Sequence, residues 1–221
     1  MSSVSWRSIF KNLQGSISLD FILRYSKKDL QVILFILLIS FTNISYAQKY
    51  TDISSDSRIE NALSVLEKTD SQKVLNTLMG SNSSHHPVKI IFYSLMLLDP
   101  KLADAHALST SANDGTIYIV IDSKYQNEPR EALASIIVHE ATHQLSRTTM
   151  EEEIQAWTNE AVQWIKFKKM NPKLAHLDEN QYRLVKRLNY LESLYLKGNN
   201  TNELIAEAVI NNSSYQLLSL K

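Results

Sequence analysis

The segment Ser135–Leu145, SIIVHEATHQL, places two histidines and a glutamate inside an otherwise apolar stretch. His139 and His143 are four residues apart, so on a helix they lie one above the other on the same face. Imidazoles so arranged can turn ring nitrogens toward one ion about 2 Å away. Glu140 projects beside the pair, placed to act on a water there rather than on the ion. This is the H-E-x-x-H arrangement. Zinc lowers the pKa of its water toward about 7, and a neighbouring glutamate can take the proton and pass it to a leaving amine. The same residues could also form the polar, exposed side of an ordinary helix. Ile136, Ile137, Val138 and Ala141 weigh against that, because they make the helix apolar over much of its circumference. Buried His and Glu need partners, and a metal satisfies all three at once.

The helix around this segment is expected to run through NEPREALASIIVHEATHQL, with Asn127 as its cap and Pro129 in the first turn. Before it, TIYIVID (Thr116–Asp122) is the clearest strand in the chain. Asn113–Gly115 signals a tight turn, so TIYIVID should form a hairpin with the weaker strand AHALSTSA. VKIIFYSLML (Val88–Leu97) also reads as a strand. Helices are expected in SSDSRIENALSVLEKTD, capped by Ser55 or Asp56, and in SQKVLNTLMG, ending at Gly80. Downstream, MEEEIQAWTNEAVQWIKFKKM, ENQYRLVKRLNYLESLYLKG and TNELIAEAVI, the last started by Asn200, continue the helical pattern. Helices, a small sheet and then helices make an α+β domain.

A catalytic zinc needs a third protein ligand and an open position. The chain has no Cys, so that ligand must be a carboxylate or another His. MEEEIQAW opens the next helix a short loop away. Glu153 is the first choice, since Ala156 leaves room for the metal helix; Glu152 is the alternative and Glu151 follows. Acids at a helix start also suit its dipole. Glu160, two turns on from Glu153, could accept a hydrogen bond from a liganding His. Trp157 and Trp164 are expected in the core or the cleft wall, and His85, His86 and His106 in loops or on the surface.

VHEATHQL followed by EEEIQAW, and preceded by GTIYIVID, resembles the zincin-like zinc metallopeptidases of the Glu-zincin type, the branch that includes thermolysin. The resemblance covers roughly residues 88 to 170. It implies a zincin-like α+β fold, with a small mainly antiparallel sheet packed on the metal helix and a C-terminal helical bundle. It implies Zn2+ held by His139, His143 and Glu153, with Glu140 as general base. It places TIYIVID at the rim of the cleft, where an extended peptide would add as a further strand. Such enzymes often use a downstream Tyr or His to steady the oxyanion, and His176, Tyr182 and Tyr190 are the residues available. Two departures stand out. The gap between His143 and Glu153 is short, and Trp157 occupies the position where thermolysin-like enzymes carry a His-orienting Asp.

The 23 basic and 23 acidic residues balance, so nothing points to nucleic acid. Lys27 and Lys28 precede an apolar run, Leu30–Phe41, about the length of a secretory h-region. Ser45 and Ala47 fit a small-x-small cleavage site, so residues 1–47 are expected to be a signal peptide cleaved after Ala47. Residues 48–221 then form a single exported domain, periplasmic or extracellular. The alternative is an uncleaved anchor, which would be the only contact with a membrane. The reading from sequence is an exported zinc peptidase acting on peptide or protein substrates. A non-catalytic, zinc-stabilised binding or inhibitor domain is the alternative, and a metal-free helical interaction protein is a third. Glu140 argues for catalysis, because a purely structural zinc would not need it.

Overall fold

The computed structural model describes residues 49–82, 84–144 and 149–212. The leader expected at residues 1–47 lies outside them. From Tyr50 onward the chain forms one compact unit. Among the described residues it is an α+β domain of seven helices and a three-stranded sheet.

Two short helices come first, α1 (Ser57–Leu66) and α2 (Gln72–Leu78). The Asp56 side chain caps α1 by accepting from the Arg58 N–H, as its position before the apolar repeat suggested. Ile59, Leu63 and Leu66 then face inward and are fully buried. Strand β1 (Lys89–Tyr93) is followed by a one-turn helix α3 (Leu95–Leu98), where the sequence reads as continuous strand. The reversal has a specific cause. The buried Asp122 carboxylate takes the Leu95 N–H at 3.1 Å, and Leu95 itself is buried.

Strands β2 (Ala107–Ser111) and β3 (Ile117–Asp122) make the expected hairpin around Gly115, whose φ of 82° suits a residue without a Cβ. The sheet order is β1-β3-β2, with β1 parallel and β2 antiparallel to β3. The sheet is therefore mixed, not mainly antiparallel. TIYIVID is its centre, not the rim of the cleft. Ile117, Ile119, Val120 and Ile121 are buried, so the most apolar strand takes the position covered on both faces. Both of its edges are occupied, and a peptide could add only at an outer strand.

The segment that carries His139 and His143 is α4 (Arg130–Thr142), capped at Pro129, two residues later than the expected cap Asn127. Glu128 instead accepts the Leu184 N–H at the start of α6 (Arg183–Lys197). Every residue of α4 from Glu131 to Ala141 is buried, because α1, α2, β2, α5 (Met150–Met170) and α6 all pack against it. The main core joins α1, α2, the sheet and α4 to Trp164, Phe167 and Leu188. A smaller cluster packs Trp157, Ala161 and Leu191 on α7 (Glu203–Ile210). That last helix begins after Asn199 and Asn200, which take left-handed φ of 55° and 64°, so Asn200 belongs to the turn and not to the helix.

Candidate metal centre

Helices α4 and α5 run antiparallel across the site, since His139 meets Glu160 while His143 meets Glu152. Thr149 makes this possible by capping α5, its hydroxyl accepting the Glu152 N–H at 3.1 Å. Asn159 on α5 donates to the Thr142 hydroxyl at 3.1 Å, a further tie between the two helices.

His139 Nδ1 lies 3.0 Å from Glu160 Oε2, and His143 Nδ1 lies 2.8 Å from Glu152 Oε1. A carboxylate only accepts, so each Nδ1 is the donor, and in the neutral ring each Nε2 keeps a lone pair. The two Nε2 atoms sit 3.3 Å apart. Two nitrogens held about 2.0–2.1 Å from one ion at a tetrahedral angle would be about 3.3 Å apart. The third group is Glu153, with Oε1 3.5 Å from His143 Nε2 and Oε2 3.9 Å from His139 Nε2. Ligand atoms of His139, His143 and Glu153 all fall within 4.8 Å of one another, a set that could hold a metal ion.

The charges favour a cation at that point. Glu140, Glu152, Glu153 and Glu160 are all buried, and the site carries one guanidinium, Arg187. Glu153 Oε2 is buried without a hydrogen-bond partner, a costly state for a carboxylate oxygen. Burial pushes the Glu153 pKa up, with His139 and His143 pulling the other way. An ion among these three groups relieves both the orphaned oxygen and the facing lone pairs, so the residues present fit a divalent metal.

Glu160 has the opposite electrostatics. Burial would raise its pKa, but Arg187 and His139 overcome that and hold it at about 2. Arg187 grips it through two hydrogen bonds, Nε to Oε1 at 3.0 Å and Nη2 to Oε2 at 2.9 Å. The guanidinium also lies over the Trp157 ring, 4.6 Å from its centroid. Burial disfavours a charged His139, but Glu160 and then Glu140 raise its pKa above the usual value.

His139, Glu140, His143, Glu153, Trp157 and Arg187 line one cleft of about 910 Å³. Its opposite wall is β2, the outer strand on that side of the sheet. Gln144 pins the strand to the helix, donating to the Ser109 hydroxyl at 2.6 Å and the Glu140 carbonyl at 2.9 Å.

The structure thus gathers His139, Glu140, His143, Glu153, Glu152 and Glu160. It puts Glu152 on a ring nitrogen of His143, on the side away from Glu153. It does not bring in His176, Tyr182 or Tyr190. His176 and Tyr190 are exposed, and Tyr182 packs at the edge of the main core. Trp157 is cleft wall and Trp164 is core. His106 lies in the loop before β2, as expected, and its ring lines the cleft and stacks on Tyr125 at 5.2 Å. Burial, aided by Arg187, lowers its pKa to about 4. Arg187 and His106 carry no sequence signal tying them to the motif, since they sit 44 residues after and 37 before His143 and His143's motif partners say nothing of their placement.

No protein-family model, curated protein or solved structure matches this chain.

Proposed function

We propose that this chain is a zinc-dependent peptidase with a zincin-like fold, exported by its leader. The observation that carries the reading is the pair of imidazoles whose Nδ1 atoms are both tied to carboxylates while their Nε2 atoms face each other and Glu153. Such outer partners fix ring orientation and raise ligand basicity, as in catalytic zinc sites. His139, His143 and Glu153 would hold the ion, leaving a position open toward the cleft. Zinc bound there would supply Lewis-acid polarisation of a carbonyl and a nucleophile at neutral pH.

The chain's own residues account for the remaining work. Glu140 is buried, lines the same cleft and is not among the three ligating groups. It takes the proton of the attacking water and delivers it to the leaving amine. Outer strand β2 supports an extended peptide running along the cleft, with main-chain hydrogen bonds giving affinity. His106, kept neutral by its lowered pKa, supports a hydrogen bond to substrate at the start of that strand.

The test is a pair of substitutions read for zinc and for turnover separately. Wild type should hold about one zinc per chain and cleave a peptide library. His139→Ala should lose the metal. Glu140→Gln should keep it while hydrolysis falls by about 10²–10⁴. A Glu140→Gln protein that cleaves normally defeats the general-base assignment. A wild type that holds zinc but turns over nothing leaves only the binding-domain reading.

A further inference from the structure

Gln144 follows the second histidine of the motif and is buried, with 5 % of its surface exposed. Both protons of its amide are engaged. Nε2 donates to the Ser109 hydroxyl at 2.6 Å and to the Glu140 carbonyl at 2.9 Å. The Ser109 hydroxyl in turn donates to that carbonyl at 3.3 Å. A carbonyl only accepts, so the nitrogen is the end that faces Glu140 and the amide cannot be turned over. The other end, Oε1, takes no hydrogen bond from any described residue and is not sealed from solvent. Gln144 lines the cleft. The cleft wall therefore holds a clamped amide with one open acceptor.

The register of β2 determines what meets that acceptor. The Asp122 N–H donates to the His106 carbonyl at 2.9 Å, and the Ala112 N–H donates to the Thr116 carbonyl at 2.8 Å. Between them Ala107 lies opposite Ile121 and Ser111 opposite Ile117. Bonding to β3 therefore alternates through His106, Leu108, Thr110 and Ala112. Ala107, Ser109 and Ser111 turn their main-chain groups to the open edge. Ser109 is the middle one of these, and its side chain points to α4, where Gln144 holds it. A peptide paired with Ser109 carries, directly opposite, a side chain on that same face, with its Cβ about 5 Å away. That side chain arrives beside the Gln144 amide. A short donor there reaches Oε1, whereas an apolar group covers the oxygen and leaves it unpaired.

We propose that Gln144 is a specificity-determining residue, whose Oε1 selects peptides that carry a short neutral donor, Ser, Thr or Asn, opposite Ser109. The inference rests on the peptidase reading and adds to it the class of sequence that the cleft prefers. One neutral hydrogen bond sets the size of the preference, about 3–10-fold.

The test is cleavage-site profiling of a mixed peptide library by the zinc-loaded protein, with residue frequencies counted at each position around the cut bond. Wild type should enrich Ser, Thr and Asn over Ala, Val and Leu about 3–10-fold at one position. Gln144→Met keeps the side-chain length and removes the acceptor. The enrichment should vanish at that position alone, with zinc content and circular dichroism unchanged. Gln144→Glu places a negative charge there, and the preference should move to Lys. A Gln144 that only braces the fold would slow the cleavage of all peptides alike and leave the profile as it was, which overturns the proposal. So does a wild-type profile with no donor preference at any position. In both cases cleavage continues and the peptidase reading stands, whereas a wild type that cleaves no peptide removes that reading and this inference together.

Discussion

The α4–α5 seam and the outer face of the sheet break the same rule in opposite directions. In the seam, four carboxylates and two imidazoles sit among buried apolar side chains. On the outer face, Ile91 and Tyr93 of β1 and Met96, Leu97 and Leu98 of α3 sit in water. The seam pairs its polar groups almost completely, with Glu160 held by Arg187 and each Nδ1 held by a carboxylate. The groups left over, Glu153 Oε2 and the two Nε2 atoms, converge on one point. The outer face leaves its apolar groups together rather than dispersed. A buried polar atom without a partner and an exposed apolar group without a cover each cost free energy, so where either persists a binding partner is the first explanation to test.

The sharpest way to break this comparison is Glu153→Gln. Zinc affinity should fall by more than the factor of about 100 that an outer partner can be worth. The metal-free protein should become more stable by about 1–3 kcal/mol, because a buried unpaired carboxylate is removed. Titration with zinc and thermal unfolding in chelator measure the two effects. A loss of both zinc and apo stability would mean that Glu153 is structural. Glu152→Gln removes only the outer partner of His143 and should cost zinc affinity about 10–100-fold, less than Glu153→Gln, which separates the two neighbouring acids.

Next in size is Glu160→Gln, which loosens His139 without removing a ligand. Zinc affinity should fall about 10–100-fold. Restoring no affinity when Arg187 is also changed to Met would agree with the two residues acting as one unit.

Stability tests the contrast between the faces directly. Ile119→Ala opens the centre of the sheet and should cost about 2–5 kcal/mol in denaturant unfolding. Leu97→Ala, on the exposed helix turn, should stay within about 0.5 kcal/mol. Similar costs for the two would show that the outer face is packed in solution.

The pH dependence belongs to His106. Its pKa is lowered from 6.5 to about 4 in the fold, so the unfolded chain binds the proton more readily between those values. Stability contributed by the neutral ring is present above pH 6.5 and is lost as pH falls toward 4. His106→Gln should flatten that part of the stability curve, measured by urea unfolding at stepped pH.

The residues that were legible without a structure are those whose geometry is local. A spacing of four on a helix is enough to put His139 and His143 together, and the apolar neighbours are enough to bury them. Asp56 before an apolar repeat and Asn113–Gly115 between two strands are equally local signals. What the sequence left open depends on how separate elements cross. Glu152 and Glu153 are neighbours, and only the angle of α5 on α4 puts one on a ring Nδ1 and the other beside both Nε2 atoms. The same crossing sets Glu160 against His139, and α6 then brings in Arg187 from 27 residues further along.

The sheet divides in the same way. Alternation and turn chemistry identified TIYIVID and its hairpin, because side-chain period and tight-turn φ values are properties of a few adjacent residues. Which strand would be central, and that Leu95–Leu98 would leave β1 as a helix, were settled by long-range competition for burial and by one bond to Asp122, 27 residues away. Chain-local geometry therefore determined the motif and its burial. Tertiary contact decided which acid stands beside both Nε2 atoms, which carboxylates meet the two Nδ1 atoms and which strand faces the cleft, because those depend on distances that no spacing along the chain encodes.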